Sequence, residues 1–332
     1  MLDYRPKMFS EASKSHASKN LFAIIICFLA VFLIIIFLES LSSAIFSSKA
    51  VLENAEIQEY IGTTQNFSLK ESLKVAARVA GSPRVMIPSL FSTIFGTLAA
   101  IFYCRCVEMR PVRSMGAKKK SFFFHYFTGI AVGLTMMSLI ALSSAIFGIT
   151  KIKTCTNVRF GILALFLVGF IIQGMSEEFI FRGYLMTSVG GSGQHTLIAV
   201  IVSAVAFALA HTMNPGFGVL PFINLTLFGV FAAVYMIYSD NIWGVCAIHS
   251  VWNFAQGNIY GISVSGSSDT ESLFRSVPVS SHAALTGGKF GIEGSLITSV
   301  VLCAATAIML YMISKKAPSE VPAQEETSDA EV

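Results

Sequence analysis

Charge is what this sequence has least of. Only 13% of its 332 residues are Asp, Glu, Lys or Arg, against about 25% in a typical soluble domain. Hydrophobic residues make up 54% of the chain, and the mean hydropathy is +0.69. Too few polar side chains remain to cover a surface facing water. A soluble enzyme, a disordered chain and a nucleic-acid binder are thereby excluded. The net charge of +4 is small and gathers at membrane edges, so it calls for no acidic partner. Cysteine is sparse too. Cys27, Cys104, Cys106, Cys155, Cys246 and Cys303 lack the spacing of a metal site or a disulfide framework and read as ordinary reduced thiols. There is no Gly-x-Ser-x-Gly elbow and no His-Glu-x-x-His helix, so serine-hydrolase and zincin readings lose their usual anchor. The run Gly190–Gly193 lacks the Lys-Ser/Thr ending of a phosphate loop and reads as a flexible turn.

What the chain does have is long apolar runs. A spanning helix needs about 20 mostly apolar residues. Leu21–Leu38 is the first candidate, flanked by Lys19 and Glu39, and reads as a retained helix rather than a signal peptide. Further spans are expected near 86–104, 126–149, 160–186, 196–212, 218–238, 242–260 and 291–313. The expected fold is all-α, a polytopic transmembrane helical bundle of about eight spanning helices. Lys and Arg cluster in the N-terminal leader, in the stretch Arg105–Lys120 and at Lys315–Lys316. By the positive-inside rule both termini are expected in the cytoplasm, in an integral, multi-pass membrane protein. Trp243, near the start of a span, reads as an interface anchor, and Trp252 as packing.

Three parts follow. Residues 1–120 hold the leader, two helices and polar loops, with a short amphipathic helix expected over Leu69–Ala80. Residues 121–314 form the bundle that carries the unusual polar groups. Residues 315–332 are an acidic tail expected to be disordered. The Ser- and Gly-rich stretch 261–289 is also expected to be flexible.

Ionisable groups are costly inside a span, so they pair with one another or face a cavity. The run Ser176-Glu177-Glu178-Phe179-Ile180-Phe181-Arg182 is the most conspicuous case. Glu178 and Arg182 are four residues apart on one helical face, in the better order for an ion pair. Glu177 is turned away from Glu178 by about 100°. One acid can therefore be neutralised locally while its neighbour points elsewhere; alternatively, all three form a structural bridge between helices. Phe207 precedes His211 by one turn, and His249 precedes Asn253 by one turn. A lone membrane histidine is more often a strut than a catalyst, but Glu177, His211, His249 and Asn253 on three separate spans are harder to explain as packing.

These residue types suit hydrolysis. A carboxylate in an apolar pocket becomes a usable general base for water. A neighbouring histidine can share and orient that water. A second histidine and an amide NH₂ on one face can donate to the oxygen that becomes negative in a tetrahedral intermediate. One tension remains in the depths. With the fourth span ending near 186, Glu177 lies about 14 Å from the cytoplasmic end and His211 about 22 Å from it.

The pattern Glu177-Glu178-x-x-x-Arg182, then Phe207-x-x-x-His211, then His249-x-x-x-Asn253 resembles the type II CAAX prenyl protease family, also described as CAAX proteases and bacteriocin-processing enzymes. The resemblance covers roughly residues 125–260 and leaves out 1–120 and the acidic tail. It implies that 121–314 is an intramembrane protease domain in which Glu177 activates water together with His211. It further implies that His249 and Asn253 stabilise the oxyanion, and that Glu178 and Arg182 hold the helix. The implied activity is that of a membrane endopeptidase, with a membrane-associated peptide or lipidated protein as substrate and the lipid bilayer as its setting. A metal-free, Glu-dependent reaction without cofactor is preferred, because Glu178 is committed to Arg182 and no further ligand is evident. The alternative is Zn²⁺ held by Glu177, His211 and His249, with Glu178 as base. Two readings compete with an enzyme. A non-catalytic immunity or binding protein on the same scaffold would tolerate replacement of Glu177. A transporter should show internal repeats or paired broken helices, and neither is present in the sequence.

Overall fold

Hydrocarbon offers the backbone no hydrogen-bond partners, which leaves the helix as the element this composition can build. The computed structural model describes residues 4–63, 68, 75, 79, 81–267 and 271–316. After the short α1 (Lys7–Ala12), α2 runs from Leu21 to Leu52, started by Asn20, whose side chain accepts from the N–H groups of Phe22 and Ala23. α3 (Ala55–Thr63) follows, then α4 (Pro83–Ser92) and α5 (Ile94–Phe102), which are joined at Thr93 and end in a π-helical turn, Tyr103–Val107. α6 is Phe122–Ile146 and α7 is Phe160–Glu178. α7 continues without a break through a π-helical stretch, Phe179–Met186, into α8 (Thr187–Gly191). α9 (Thr196–Ala210), α10 (Val219–Ser239), α11 (Trp243–Phe254), the small α12 (Ala283–Thr286) and α13 (Leu296–Ser314) complete the helices. The expected spans fall on these elements, with 86–104 divided between α4 and α5, but the expected count of eight is not reached by helix length. Among the described residues, six continuous helices are long and apolar enough to cross a membrane, while Thr196–Ala210 is apolar but shorter.

Two faces can be told apart. Lys118 pairs with Asp240 at the end of α10, and Asp240 also accepts from the N–H of Met8 at 3.0 Å. Arg113 reaches Glu11 at 3.4 Å, and Lys316 lies 5.5 Å from the Tyr4 ring centre. The three basic segments therefore meet on one face. The Trp243 indole belongs there as well, donating to the Lys118 carbonyl at 3.0 Å. At the other end of α6, β1 (Thr150–Thr154) pairs antiparallel with β2 (Phe274–Pro278), Thr150 opposite Pro278.

That sheet corrects the expectation for 261–289. Much of this stretch is held by backbone pairing, and Arg159 adds an ion pair to Glu271 at 2.6 Å. Gly190 and Gly191 are also more than a turn. They end α8, where a Cβ on Gly190 would lie 2.5 Å from the Phe9 ring, so glycine is what lets α1 approach. The segment Leu69–Ala80 and the acidic tail beyond Lys316 fall outside the described residues, Val75 and Val79 excepted.

Candidate active site

The helices that matter come together through small residues, which let backbones approach closely in a membrane. A Cβ on Gly174 of α7 would lie 2.6 Å from the backbone nitrogen of Ser250 on α11. This contact sets the ends of the two motifs side by side. Glu178 and Arg182 are both fully buried and paired, Nη1 to Oε1 at 3.0 Å, as their spacing predicts. His249 Nδ1 donates to the same Glu178 oxygen at 2.7 Å. The Arg182 guanidinium also stacks over Phe207, 4.5 Å from the ring centre.

Glu177 faces the other way, into a cavity of about 410 Å³. Its Oε2 is buried and accepts no hydrogen bond. His211 Nε2 lies 3.8 Å from this oxygen and His249 Nε2 3.7 Å from it. Both separations exceed a direct hydrogen bond. The other nitrogen of each ring is committed: His211 Nδ1 donates to the Phe207 carbonyl at 2.8 Å, as His249 Nδ1 does to Glu178. In the neutral rings the two Nε2 atoms are therefore acceptors. A carboxylate oxygen and two ring nitrogens face one another with lone pairs only. Such a cluster needs a donor, which either a bridging water or a proton on His249 Nε2 supplies.

Asn253 is present but partly engaged. Its Nδ2 donates to Gln173 Oε1 at 2.9 Å, and Gln173 Nε2 donates to Glu177 Oε1. One of the two amide hydrogens of Asn253 is thereby used, leaving the second available. Gln173, which the motifs pass over, fixes both residues at once. Its signal in the sequence is a single amide in an apolar run, one turn before Glu177. Glu39 of α2 and Glu293 also line the cavity, although neither belongs to a motif. Glu293 accepts from the N–H and hydroxyl of Ser265, at 2.8 and 2.9 Å, and from the Trp252 indole at 3.2 Å, tying the mouth loop to α11. Trp252 thus does more than pack, since it lines the cavity as well.

The depth tension disappears because the fourth helix is longer than expected. α7, its π-helical stretch and α8 run on to Gly191, which puts Glu177 about 21 Å from that end. α9 begins at Thr196, which puts His211 about 22 Å from its own start. One π-helical stretch begins directly after Glu178, and another begins at Ala255, just past Asn253. Such widened turns are frequent where a helix carries a functional side chain.

Glu177, His211 and His249 are also the donor types that zinc accepts. Among the described residues, however, no group of three or more His, Cys, Asp or Glu side chains closes to metal-binding geometry.

Fold and site define an integral, multi-pass membrane protein, helical among the described residues but for one two-stranded sheet, with a polar cavity among its spans. Residues 159–255, the segment that carries every motif residue, match the family model of Rce1-like type II CAAX prenyl endopeptidases. Over this segment the chain is similar to a CAAX-type intramembrane protease family. No curated protein and no solved structure matches the chain significantly.

Proposed function

We propose that the protein is an intramembrane endopeptidase that hydrolyses a peptide bond of a membrane-associated peptide or lipidated protein through water activated by Glu177. The observation that carries this reading is the convergence of two histidine Nε2 atoms on one unpartnered carboxylate oxygen. A water held there gives a proton to Glu177 as its oxygen attacks the carbonyl carbon, with His211 orienting it. The developing oxyanion is met by the free N–H of Asn253 and by His249 in its protonated form. Glu178, by accepting from Nδ1, keeps that ring oriented. Collapse breaks the C–N bond, and the proton on Glu177 passes to the leaving amine. The reaction balances without a cofactor, and a metal-free mechanism is part of the proposal.

The cavity mouth also bears on the substrate. It is framed by Asn214 and Ser265, half-buried residues at the end of the bundle away from the basic segments. With the basic face in the cytoplasm, the mouth opens on the opposite side. This favours bacteriocin-type processing, in which an exported or outer-leaflet peptide is the substrate, over a cytoplasmic lipidated tail.

The test compares new peptide termini in membranes from cells carrying the wild type or Glu177→Gln at equal abundance. Termini present only with the wild type are expected, and they identify the substrate. Identical termini, with any protective phenotype kept, would turn the reading to a binding or immunity protein.

A further inference from the structure

Glu39 lies outside the matched segment and outside the motifs, yet it lines the same cavity as Glu177. It follows the uninterrupted apolar run Leu21–Leu38 of α2, which extends about 27 Å. Glu39 is thus placed where a hydrocarbon layer of about 30 Å gives out. Beyond it the helix turns to hydroxyls, at Ser40, Ser42, Ser43, Ser47 and Ser48. A second cavity, of about 360 Å³, is lined by Glu39, Ser40, Ser43, Ser47, Ser89 and Thr93 among others. Glu39 and Ser89 belong to the walls of both cavities, so the two meet at one carboxylate and one hydroxyl. Beside this neck the Ser92 hydroxyl donates to that of Ser42 at 3.0 Å and fastens α4 to α2. On α5, a Cβ on Gly96 would lie 2.9 Å from Glu39 Oε1 and closer still to the Ser176 hydroxyl, so glycine is what leaves the carboxylate its place.

Hydrolysis consumes one water for each bond cleaved, and hydrocarbon supplies none. A substrate seated in the mouth closes the wider way in. Replenishment then needs a second polar passage, and the hydroxyl-lined cavity is shaped as one. We propose that the serine-lined cavity along α2 is the water inlet of the site, with Glu39 a positioning residue that holds the last water before Glu177. This rests on the hydrolytic reading above.

The experiment uses the full chain in membrane vesicles and a charged, membrane-impermeant maleimide as probe. Cysteine is placed at Ser43, inside the proposed inlet, and at Ile45, which is exposed on the lipid side of the same helix. Labelling of the unaltered chain supplies the background of its own thiols. Ser43→Cys is expected to react severalfold faster than Ile45→Cys. Ser89→Cys, at the neck, is expected to be slowed severalfold by Glu39→Leu and little by Glu39→Gln. On a substrate found through the Glu177→Gln comparison, Glu39→Leu should lower kcat with KM unchanged, and Glu39→Gln should recover most of it. Equal labelling at Ser43 and Ile45 would overturn the inlet, as would a Glu39→Leu variant with wild-type kcat. Fast Ser43 labelling in a protein that cleaves nothing would overturn the hydrolytic reading, and the role of Glu39 with it, while leaving the passage in place.

Discussion

Glu178 and His249 share a 2.7 Å hydrogen bond through the same carboxylate oxygen that pairs with Arg182 at 3.0 Å. The second acid of the Glu-Glu pair therefore has two duties, holding a buried arginine and aiming a histidine. Its neighbour Glu177 has its Oε2 free of hydrogen-bond partners. Two adjacent residues of one type should thus fail in different ways when replaced.

Glu177→Gln is expected to abolish cleavage while leaving thermal stability in detergent near that of the wild type. Glu178→Gln should do the reverse first, because it leaves Arg182 buried without its counter-charge, at a cost of about 3–5 kcal/mol. Thermal denaturation followed by tryptophan fluorescence separates the two. Equal stability losses would mean that Glu177 too is a structural partner.

Gln173 holds both Glu177 and Asn253, so its loss should loosen catalysis without unfolding the bundle. Gln173→Leu is expected to lower kcat about tenfold, the equivalent of roughly 1.4 kcal/mol for a hydrogen bond lost in the transition state. KM should stay within a factor of about two, since the amide is engaged with Glu177 and Asn253, the groups that act on the transition state. An unchanged kcat would remove Gln173 from the site.

A metal-free mechanism makes a direct statement about chelators. Cleavage by the purified protein should survive prolonged dialysis against 1,10-phenanthroline, and added Zn²⁺ should not raise it. Loss of activity on dialysis, restored by zinc, would assign the metal to Glu177, His211 and His249 instead.

Glu271, beside the sheet, offers a pH readout outside the spans. Burial pushes its carboxyl up, but the Arg159 backbone N–H and guanidinium outweigh this and hold it below the usual range. A lowered folded value contributes stability above the unfolded value of about 4.3, and that stability is lost as pH falls through the folded value. Because Arg159 is largely exposed, the effect should not exceed about 1 kcal/mol. Glu271→Gln should lower the melting temperature slightly at pH 7 and have no effect at pH values below the folded one. An effect that persists undiminished in acid would mean that the side chain acts by packing.

The residues of the three motifs are legible in the sequence because ionisable groups are rare in apolar spans, and each one therefore stands out. Arg182 and Glu178 follow directly from their spacing. The meeting of Glu177 with His211 is not legible, since it depends on where one helix ends. The end at Gly191 is hidden, because Gly190 and Gly191 look like a turn until Phe9 is packed against them. Gln173 is legible in principle as one amide among apolar neighbours. Glu39 looks like the flank of a span, because nothing local reveals that α2 leans on the motif-bearing helices. The strand pairing of 150–154 with 274–278 joins segments more than a hundred residues apart and leaves no local trace.

The wall of the cavity has a consequence for how this protein can be taken apart. Glu39, Met86, Ser89 and Leu90 come from helices that precede the matched segment. A graft of residues 159–255 into another bundle would carry every motif side chain and still leave one flank of Glu177 open to acyl chains. The reactive groups are portable, whereas the enclosure that keeps oil off them is not. Relatives that share the motifs but differ in their first helices should therefore have the same chemistry with a different tolerance for what comes near it.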